Sequence, residues 1–174
     1  MNIRKAQARD INAVAEIYDH IHDCEEAGKM TIGWLREIYP TRKTAEEALA
    51  LGDLFVLEDT GSILAAGRIN RKQLDDYALA RWSVNAPADE VMVLHTLVVE
   101  PAANGKGYAR AFLDFYEKYS LEQGCRYLRI DTQAQNAAAR SMYAKHGWHE
   151  ADIVSCQAFN GVKDIQLVCL EKTL

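Results

Sequence analysis

An apolar run that leads into a glycine loop constrains the fold of this chain more than any other segment. Val91–Val99 is the most apolar stretch, and a run that is apolar on both faces predicts a central strand covered from both sides. A loop with Gly105 and Gly107 follows, and apolar residues then recur at helical spacing until Gly124. Residues 127–131 continue as a strand. This order predicts a central β-α-β unit.

Further strands and helices are predicted on both sides of that unit. Strands are expected over residues 2–5, 54–57, 63–69, 148–155 and 165–171, with turns at residues 59–61 and 160–161. Helices are expected after Asp10, which would cap the first, from a capping box that begins at Thr44, and over residues 136–146. Residues 70–90 are expected to form a loop. The fold class is α/β (α+β): a mixed, mostly antiparallel sheet with helices on both faces, in one domain over residues 1–174.

The glycine loop has the features of an anion site. Gly105 and Gly107 carry no bulky Cβ atoms, so a strand end and a helix start can place several unpaired backbone N–H groups around one point. The helix dipole adds partial positive charge there, and Lys106 adds a full charge. Phosphate or pyrophosphate is therefore the predicted guest.

Two other phosphate-binding loops compete for this segment. A Walker loop needs Ser or Thr after its lysine, whereas Gly107 follows Lys106. An NAD(P)-binding module fits better, because Gly105 and Gly107 open a helix and Asp131 ends the next strand where a ribose-binding acid would lie. However, Arg110 stands where the third glycine is needed, and the chain offers too few β-α repeats for that fold. The NAD(P) module stays as the weaker alternative.

The segment resembles the acyl-CoA signature of the GNAT N-acetyltransferase superfamily. The strand end is followed by the sequence Asn104-Gly105-Lys106-Gly107-Tyr108-Ala109. The usual signature is Gln or Arg, two residues, Gly, one residue, then Gly or Ala. Gly107 and Ala109 match its last two positions, while Asn104 stands where Gln or Arg is usual. The resemblance extends through Asn136, Tyr143 and the pair Gly147-Trp148.

This resemblance implies how acetyl-CoA would bind as co-substrate. The pyrophosphate lies on the loop, the pantetheine arm pairs with backbone groups of the preceding strand, and that strand splays from the next one to open a cleft. The implied cofactor-binding residues are Leu97, Val98, Val99, Asn104, Gly105, Lys106, Gly107, Tyr108, Ala109 and Asn136. It also assigns Tyr143 to the sulfur of the thioester.

Tyr143 and His95 are the predicted catalytic residues. A phenol has a higher reference pKa than a thiol, by about 1.5 units, so Tyr143 is expected to stabilise the departing thiolate by a hydrogen bond. Packing against Met142 and Trp148 is the alternative role of its ring. Strand alternation puts His95 on the same face as Val93, Leu97 and Val99. The near-neutral reference pKa of histidine suits it to take a proton from an ammonium substrate. A hydrogen-bonded core histidine is the alternative.

Composition argues against several other classes of protein. With 49% apolar residues, 26% charged residues and a net charge of −5, the chain is typical of a soluble acidic protein, and no nucleic acid partner is expected. No apolar run approaches membrane-spanning length, and early charges such as Arg4 leave no room for a signal-peptide core, so no membrane partner is expected. Four cysteines without a CxxC pair indicate reduced thiols in the cytoplasm. No metal site is expected, because the acidic and histidine residues of segment 20–26 do not share one helix face.

The sequence therefore predicts an acetyl-CoA-dependent N-acetyltransferase in which a primary amine attacks the thioester directly. The main alternative is a non-catalytic CoA-binding sensor domain. A small-molecule amine and a protein amino group both remain open as acceptors, because the segments before Gly52 and between Asn70 and Glu90 carry no specific code. The overall acidity favours a cationic substrate. The oligomeric state is also open, with a homodimer as one option.

Overall fold

The computed structural model describes residues 1–159 and 162–174 of the chain. Its helices and strands are, in chain order, β1 (Asn2–Lys5), α1 (Ile11–Glu26), α2 (Arg42–Ala50), β2 (Leu54–Asp59), β3 (Ser62–Asn70), β4 (Val91–Val99), α3 (Tyr108–Glu122), β5 (Tyr127–Gln133), α4 (Ala137–Lys145), β6 (His149–Phe159) and β7 (Val162–Thr173). Every strand and helix predicted from the sequence is present, and most boundaries agree within two to four residues. The predicted turn at residues 160–161 lies outside the described residues.

The strands form one sheet of mixed direction in the order β1-β2-β3-β4-β5-β7-β6. The β4–β5 pair is parallel, whereas the β1–β2, β2–β3, β5–β7 and β6–β7 pairs are antiparallel. A parallel pair needs a crossover connection, which α3 provides between β4 and β5. The predicted mixed, mostly antiparallel sheet with one β-α-β unit is confirmed.

The parallel ladder between β4 and β5 is short. It pairs residues 91–94 with residues 127–130, and its last pair is Leu94 with Ile130. Both strands run on beyond this pair, β4 to Val99 and β5 to Gln133. Thr96 has a φ of 52°, an uncommon value for a β-branched residue, so the regular pleat of β4 is broken just past the ladder. The alternation used to predict the face of His95 does not continue through this point.

One compact unit contains residues 1–30, 34–69 and 95–116. Its core includes the apolar face of α1 that helical spacing predicts, and Ile11, Val14, Ile17, Tyr18 and Ile21 are all buried. Helix α1 packs against α2, and α2 contacts β2. The hairpin of β2 and β3 supplies further buried residues, among them Val56 and Ala65.

The two predicted helix caps in this unit differ from the structure, although Asp10 does occupy the N-cap position of α1. Asp10 makes no capping bond to α1, because its carboxylate accepts a hydrogen bond from the Gln7 N–H at 2.8 Å and pairs with Arg4 at 2.7 Å. The N-cap of α2 lies three residues before the predicted cap, Thr44. Thr41 is its N-cap, and the Thr44 hydroxyl accepts a hydrogen bond from the Thr41 N–H at 3.0 Å.

The second compact unit contains residues 31–33, 70–94 and 117–174. Its core joins β4, β5, β6 and β7 to the long connection before β4, and its buried members are Tyr77, Val91, Val93, Val154, Cys156, Leu167 and Cys169. The connection over residues 70–90 is irregular, as predicted, apart from two turns of 3₁₀ helix at Asp75–Leu79 and Ala88–Glu90. Within the described part of the chain, no helix is both long and apolar enough to cross a membrane.

Arg129 of β5 fastens this long connection to the sheet. Its guanidinium carbon lies 3.9 Å from the centroid of the Trp82 ring, and its nitrogens donate to the Gln73 side chain and the Val84 carbonyl. The side chain is buried, and burial lowers its pKa from the usual arginine value. The cation–π contact and the two hydrogen bonds compensate part of the cost of burying this charge.

We expect Arg129→Ala to lower the free energy of unfolding by about 2 kcal/mol, because it removes these contacts and leaves a gap under the connection. For a chain of this size that corresponds to a fall in Tm of roughly 4–8 °C, measurable by thermal denaturation. The matched control is Arg126→Ala, since Arg126 is exposed on the same segment. Equal Tm values for the two variants would show that Arg129 does not stabilise the connection.

Candidate functional site

The loop between β4 and α3 is exposed and built for close approach by a ligand. Residues 104–107 are all exposed to solvent. Gly105 and Gly107 have φ values of 79° and 86°, in the left-handed region that favours glycine. A Cβ atom at either position would meet nothing within 4 Å. Both glycines are therefore required by the backbone conformation, and the surface above the loop is open.

The loop combines free donors with positive charge. Helix α3 begins at Tyr108, so its first backbone N–H groups have no acceptor within the helix. The helix dipole and the exposed Lys106 add positive charge at the same end. A doubly charged pyrophosphate group fits these donors and this charge. The residues present thus suit the CoA pyrophosphate that the sequence predicts.

Side chains of the first unit hold both ends of the loop. The Tyr108 side chain is buried, and its hydroxyl donates to Asp59 Oδ2 at 3.0 Å. On the strand side, Glu100 accepts a hydrogen bond from the Ala102 N–H at 3.2 Å and pairs with His20 Nδ1 at 2.8 Å. Since the Tyr108 hydroxyl is engaged with Asp59, the backbone N–H is the group of Tyr108 that remains for a ligand.

The predicted pantetheine strand is the last part of β4, which belongs to the first unit. Val98 is buried, whereas Leu97 and Val99 are half-buried. His95 is also half-buried and directly precedes Thr96, whose hydroxyl forms a hydrogen bond with the Tyr39 hydroxyl. The contacts of these residues with CoA, and a catalytic role of His95, remain predictions.

Helix α4, in the second unit, carries two other predicted site residues. Asn136 is the N-cap of the helix, and its side-chain oxygen accepts a hydrogen bond from the Ala139 N–H at 3.1 Å. Arg140, one turn later, forms a two-point ion pair with Glu150 at 2.7 and 2.9 Å. Asn136 thus has a structural role, and its contact with the cofactor remains a prediction.

Tyr143 lies on α4 with its ring buried and 6.1 Å from the Trp148 ring, centroid to centroid. Both predicted roles of this ring are therefore compatible with its position, since packing leaves the hydroxyl available. None of the hydrogen bonds between described residues involves that hydroxyl. Burial, assisted by the negative charge of Asp131, raises the pKa of Tyr143 well above its usual value. The hydroxyl therefore keeps its proton at neutral pH and can donate a hydrogen bond.

Asp131 of β5 is a titratable group that the sequence analysis considered only as a ribose-binding acid. The Tyr77 hydroxyl donates to its Oδ2 atom at 2.8 Å. Burial raises the pKa of Asp131 to about 6, while the bond from Tyr77 acts in the opposite direction. The sequence contains one signal for this perturbed carboxyl, because Asp131 is the last residue of a predicted strand.

The histidines and acids of segment 20–26 take separate partners. His20 pairs with Glu100, His22 hydrogen-bonds the Pro40 carbonyl at 3.0 Å, and Asp23 and Glu26 pair with Arg36 at 2.5 and 2.8 Å. In the described ranges, no group of three or more His, Cys, Asp or Glu residues is arranged to hold a metal ion.

Comparison with known proteins supports the sequence resemblance. The model of the acetyltransferase (GNAT) family matches residues 14–148. The uncharacterized N-acetyltransferase YhfO of Bacillus subtilis (strain 168) is 25% identical over 150 residues, which cover 86% of this chain and 91% of that protein. A ribosomal-protein-alanine N-acetyltransferase from Brucella melitensis has a similar fold, with a TM-score of 0.72, 18% identity and 100% of both chains covered. The structure of yncA from Salmonella typhimurium, solved with its cofactor acetyl-CoA, aligns with a TM-score of 0.69 at 19% identity. The alignment covers 100% of this chain and 94% of the yncA chain.

The matched range contains the glycine loop, the β4-α3-β5 unit and the whole of α4, which are the segments that carry the resemblance. Acetyl-CoA is accordingly the acetyl donor, and the NAD(P) alternative is not supported. The chain belongs to the acetyltransferase (GNAT) family and is an acetyl-CoA-dependent N-acetyltransferase.

Proposed function

We propose that this enzyme transfers the acetyl group to a primary amine by direct attack on the thioester, without an acetylated enzyme. The observation that carries the proposal is the exposed loop with left-handed Gly105 and Gly107 at the start of α3. Such a loop presents backbone donors and positive charge to a pyrophosphate, so it anchors the donor while leaving the acetyl end free to react. Family membership supports the same reaction type.

The proposed CoA site uses residues 97–109 together with Asn136. Backbone N–H groups of Gly105, Gly107, Tyr108 and Ala109, with the Lys106 ammonium, hold the pyrophosphate. Asn104 contributes its backbone, because its short side chain replaces the usual Gln or Arg. Backbone groups of residues 97–99 pair with the amides of the pantetheine arm. These residues lie beyond the end of the β4–β5 ladder at Leu94, so their N–H and C=O groups on that edge need other hydrogen-bond partners. When bound, acetyl-CoA supplies a thioester whose carbonyl carbon is open to attack by an amine.

Tyr143 is proposed to assist the departure of the sulfur. Its hydroxyl is protonated at neutral pH, as for any tyrosine, and burial raises its pKa further. The hydroxyl has no hydrogen-bond partner among the described residues. Negative charge develops on the sulfur as the carbon–sulfur bond breaks, and a protonated donor nearby stabilises that charge. The hydroxyl acts chiefly through this hydrogen bond, because a phenol is a weaker acid than a thiol.

The cysteines and the net charge of the enzyme support a proposal for its compartment and its acceptor. All four cysteines are free thiols, and three of them are buried, which is typical of proteins in a reducing compartment such as the cytoplasm. We propose that residues 1–174 act as one catalytic domain, as a monomer or a homodimer, on a small-molecule amine or a protein amino group. The net charge of −5 favours cationic acceptors over nucleic acid or anionic membrane surfaces.

We expect Gly107→Ala to weaken acetyl-CoA binding about tenfold, because an alanine at this positive φ costs about 1–2 kcal/mol and moves the loop amides. Isothermal titration calorimetry with acetyl-CoA measures the change. The matched control is Gly61→Ala, since Gly61 in the β2–β3 turn has a φ of 82° and a Cβ there would also meet nothing within 4 Å. The control is expected to lose similar stability but to bind acetyl-CoA normally. Equal Kd values for the two variants would contradict the loop site.

We expect Tyr143→Phe to lower kcat at least tenfold while changing the Kd of acetyl-CoA by less than threefold, because the lost hydrogen bond acts mainly on the departing sulfur. Release of free thiol and calorimetry measure the two quantities. Tyr18→Phe is the control, since Tyr18 is a buried tyrosine of α1 whose pKa is likewise raised by burial. Equal losses in kcat and in binding would remove the role assigned to Tyr143.

A further inference from the structure

Thr96 has an unusual backbone conformation, with a φ of 52° inside β4. A β-branched residue rarely adopts this left-handed conformation, because its side chain is crowded there. Such strain persists only where the surrounding structure enforces it, and it is concentrated at functional sites. The contacts of the Thr96 side chain therefore indicate what holds it.

The Thr96 side chain is bonded to the connection between α1 and α2. Its hydroxyl forms a hydrogen bond with the Tyr39 hydroxyl, which comes from a residue 57 positions away in sequence. Both residues are half-buried, and both belong to the first compact unit. The strained residue is thus tied to a separate segment of its own unit.

Tyr39 is itself fixed on several sides. Its N–H donates to the Leu35 carbonyl at 3.0 Å, and its ring lies nearly perpendicular to the Trp34 ring, 5.8 Å away between centroids. The carbonyl of Pro40, the next residue, accepts a hydrogen bond from the buried His22 of α1 at 3.0 Å. The Tyr39 hydroxyl is therefore a fixed point that can hold the side chain of Thr96.

Residues 97–99 continue β4 beyond the end of its ladder with β5. The Glu100 N–H donates to the Leu64 carbonyl of β3 at 2.9 Å, so its N–H points to the β3 edge. N–H groups of successive strand residues point to opposite edges, which places those of Leu97 and Val99 on the other edge. Because the ladder with β5 ends at Leu94, these two N–H groups need other partners.

The conformation of Thr96 decides where that edge of β4 points. A residue that leaves the extended conformation inside a strand bends the strand and interrupts its pairing. A return of Thr96 to an extended φ would rotate the following peptide units and re-aim the N–H groups of residues 97–99. The hydrogen bond from Thr96 to Tyr39 opposes this change, because it is lost when the Thr96 side chain moves.

We infer that Tyr39 is a positioning residue of the acetyl-CoA site, which holds Thr96 in the left-handed conformation and thereby aims the backbone of residues 97–99 at the pantetheine arm. The inference rests on the proposed function, because that function pairs the pantetheine arm with residues 97–99. It adds that the connection between α1 and α2 shapes the donor side of the site. Tyr39 acts through Thr96 and needs no contact with the donor itself.

Calorimetry with acetyl-CoA tests the inference without an acceptor amine. Tyr39→Phe removes only the hydroxyl, and we expect it to raise the Kd of acetyl-CoA roughly three- to tenfold, the effect of losing one hydrogen bond that holds the binding conformation. Thr96→Val keeps the β-branched shape without the hydroxyl and should raise the Kd equally, and the double variant should raise it no further. Tyr127→Phe is the control, since Tyr127 is a half-buried tyrosine of β5, and it should bind acetyl-CoA normally.

Thr96→Gly separates positioning from general stabilisation. Glycine adopts a positive φ without strain, so the Kd should stay within threefold of the wild-type value although the hydroxyl is lost. Adding Tyr39→Phe to Thr96→Gly should change the Kd less than twofold. The control is Thr60→Gly, because Thr60 in the β2–β3 turn also has a positive φ, 49°. Combined with Tyr39→Phe, this control should leave the loss of affinity unchanged.

Nuclear magnetic resonance of the free protein gives a readout that involves neither binding nor turnover. In protein labelled with ¹³C and ¹⁵N, the Cα and Cβ chemical shifts and the HN–Hα coupling of Thr96 report its φ. They should indicate the left-handed conformation in the wild type. In Tyr39→Phe they should move towards extended values, and in Tyr127→Phe they should not move.

Each outcome decides one question. A loss of affinity in Tyr39→Phe that persists in the Thr96→Gly background would overturn the inference, since Tyr39 would then act without Thr96. An unchanged Kd in Tyr39→Phe and Thr96→Val, or a Thr96 that stays fully left-handed in Tyr39→Phe, would overturn it as well. If the affinities follow the expected pattern but no amine receives the acetyl group, the proposed transfer fails and the inference stands.

Discussion

The short parallel ladder between β4 and β5 is the constraint on which the functional residues depend. It ends at Leu94 and Ile130, although both strands continue, and the left-handed Thr96 breaks the pleat of β4 just beyond it. Backbone groups released from a ladder must find other partners, and the amides of a pantetheine arm can provide them. On β4, the residues past this point lead into the glycine loop. On β5, the first residue past it is Asp131.

In the second unit, limited contact with water shifts the pKa values of two titratable side chains. Tyr143 and Asp131 are both titratable groups in apolar surroundings, and burial raises the pKa of each. The consequences differ. Tyr143 stays protonated and can donate a hydrogen bond, whereas the pKa of Asp131, about 6, lies close to neutral pH.

Local patterns in the sequence were sufficient to predict the helices and strands of the fold. The apolar run of β4 and the spacing of apolar residues in α1 gave the correct strand and the correct buried face. The loop glycines were predicted only to remove bulky Cβ atoms from the loop, and the structure shows in addition that both have left-handed backbone. Helix caps were less predictable. The Asp10 carboxylate forms an ion pair with Arg4 and makes no hydrogen bond to the backbone N–H groups at the start of α1. The start of α2 was displaced because Thr41 and Thr44 satisfy the first turn together.

Long-range contacts explain what sequence reasoning missed at the site. Tyr77 and Asp131 are 54 residues apart, and no local sequence pattern at either residue predicts the hydrogen bond between them. The positive φ of Thr96 is equally hidden, since a β-branched residue in an apolar run is typical of a regular strand. His95 was noticed because it is polar in such a run, whereas the surroundings of the half-buried Asp131 carboxyl became visible only in the fold.

Mass spectrometry of the products with a panel of primary amines tests the central claim most directly. The account predicts that each acetyl-CoA consumed yields one CoA thiol and one N-acetylated amine, and that neither appears when the amine is omitted. Release of CoA without an acetylated amine, or an acetyl group left on a side chain of the enzyme, would contradict it.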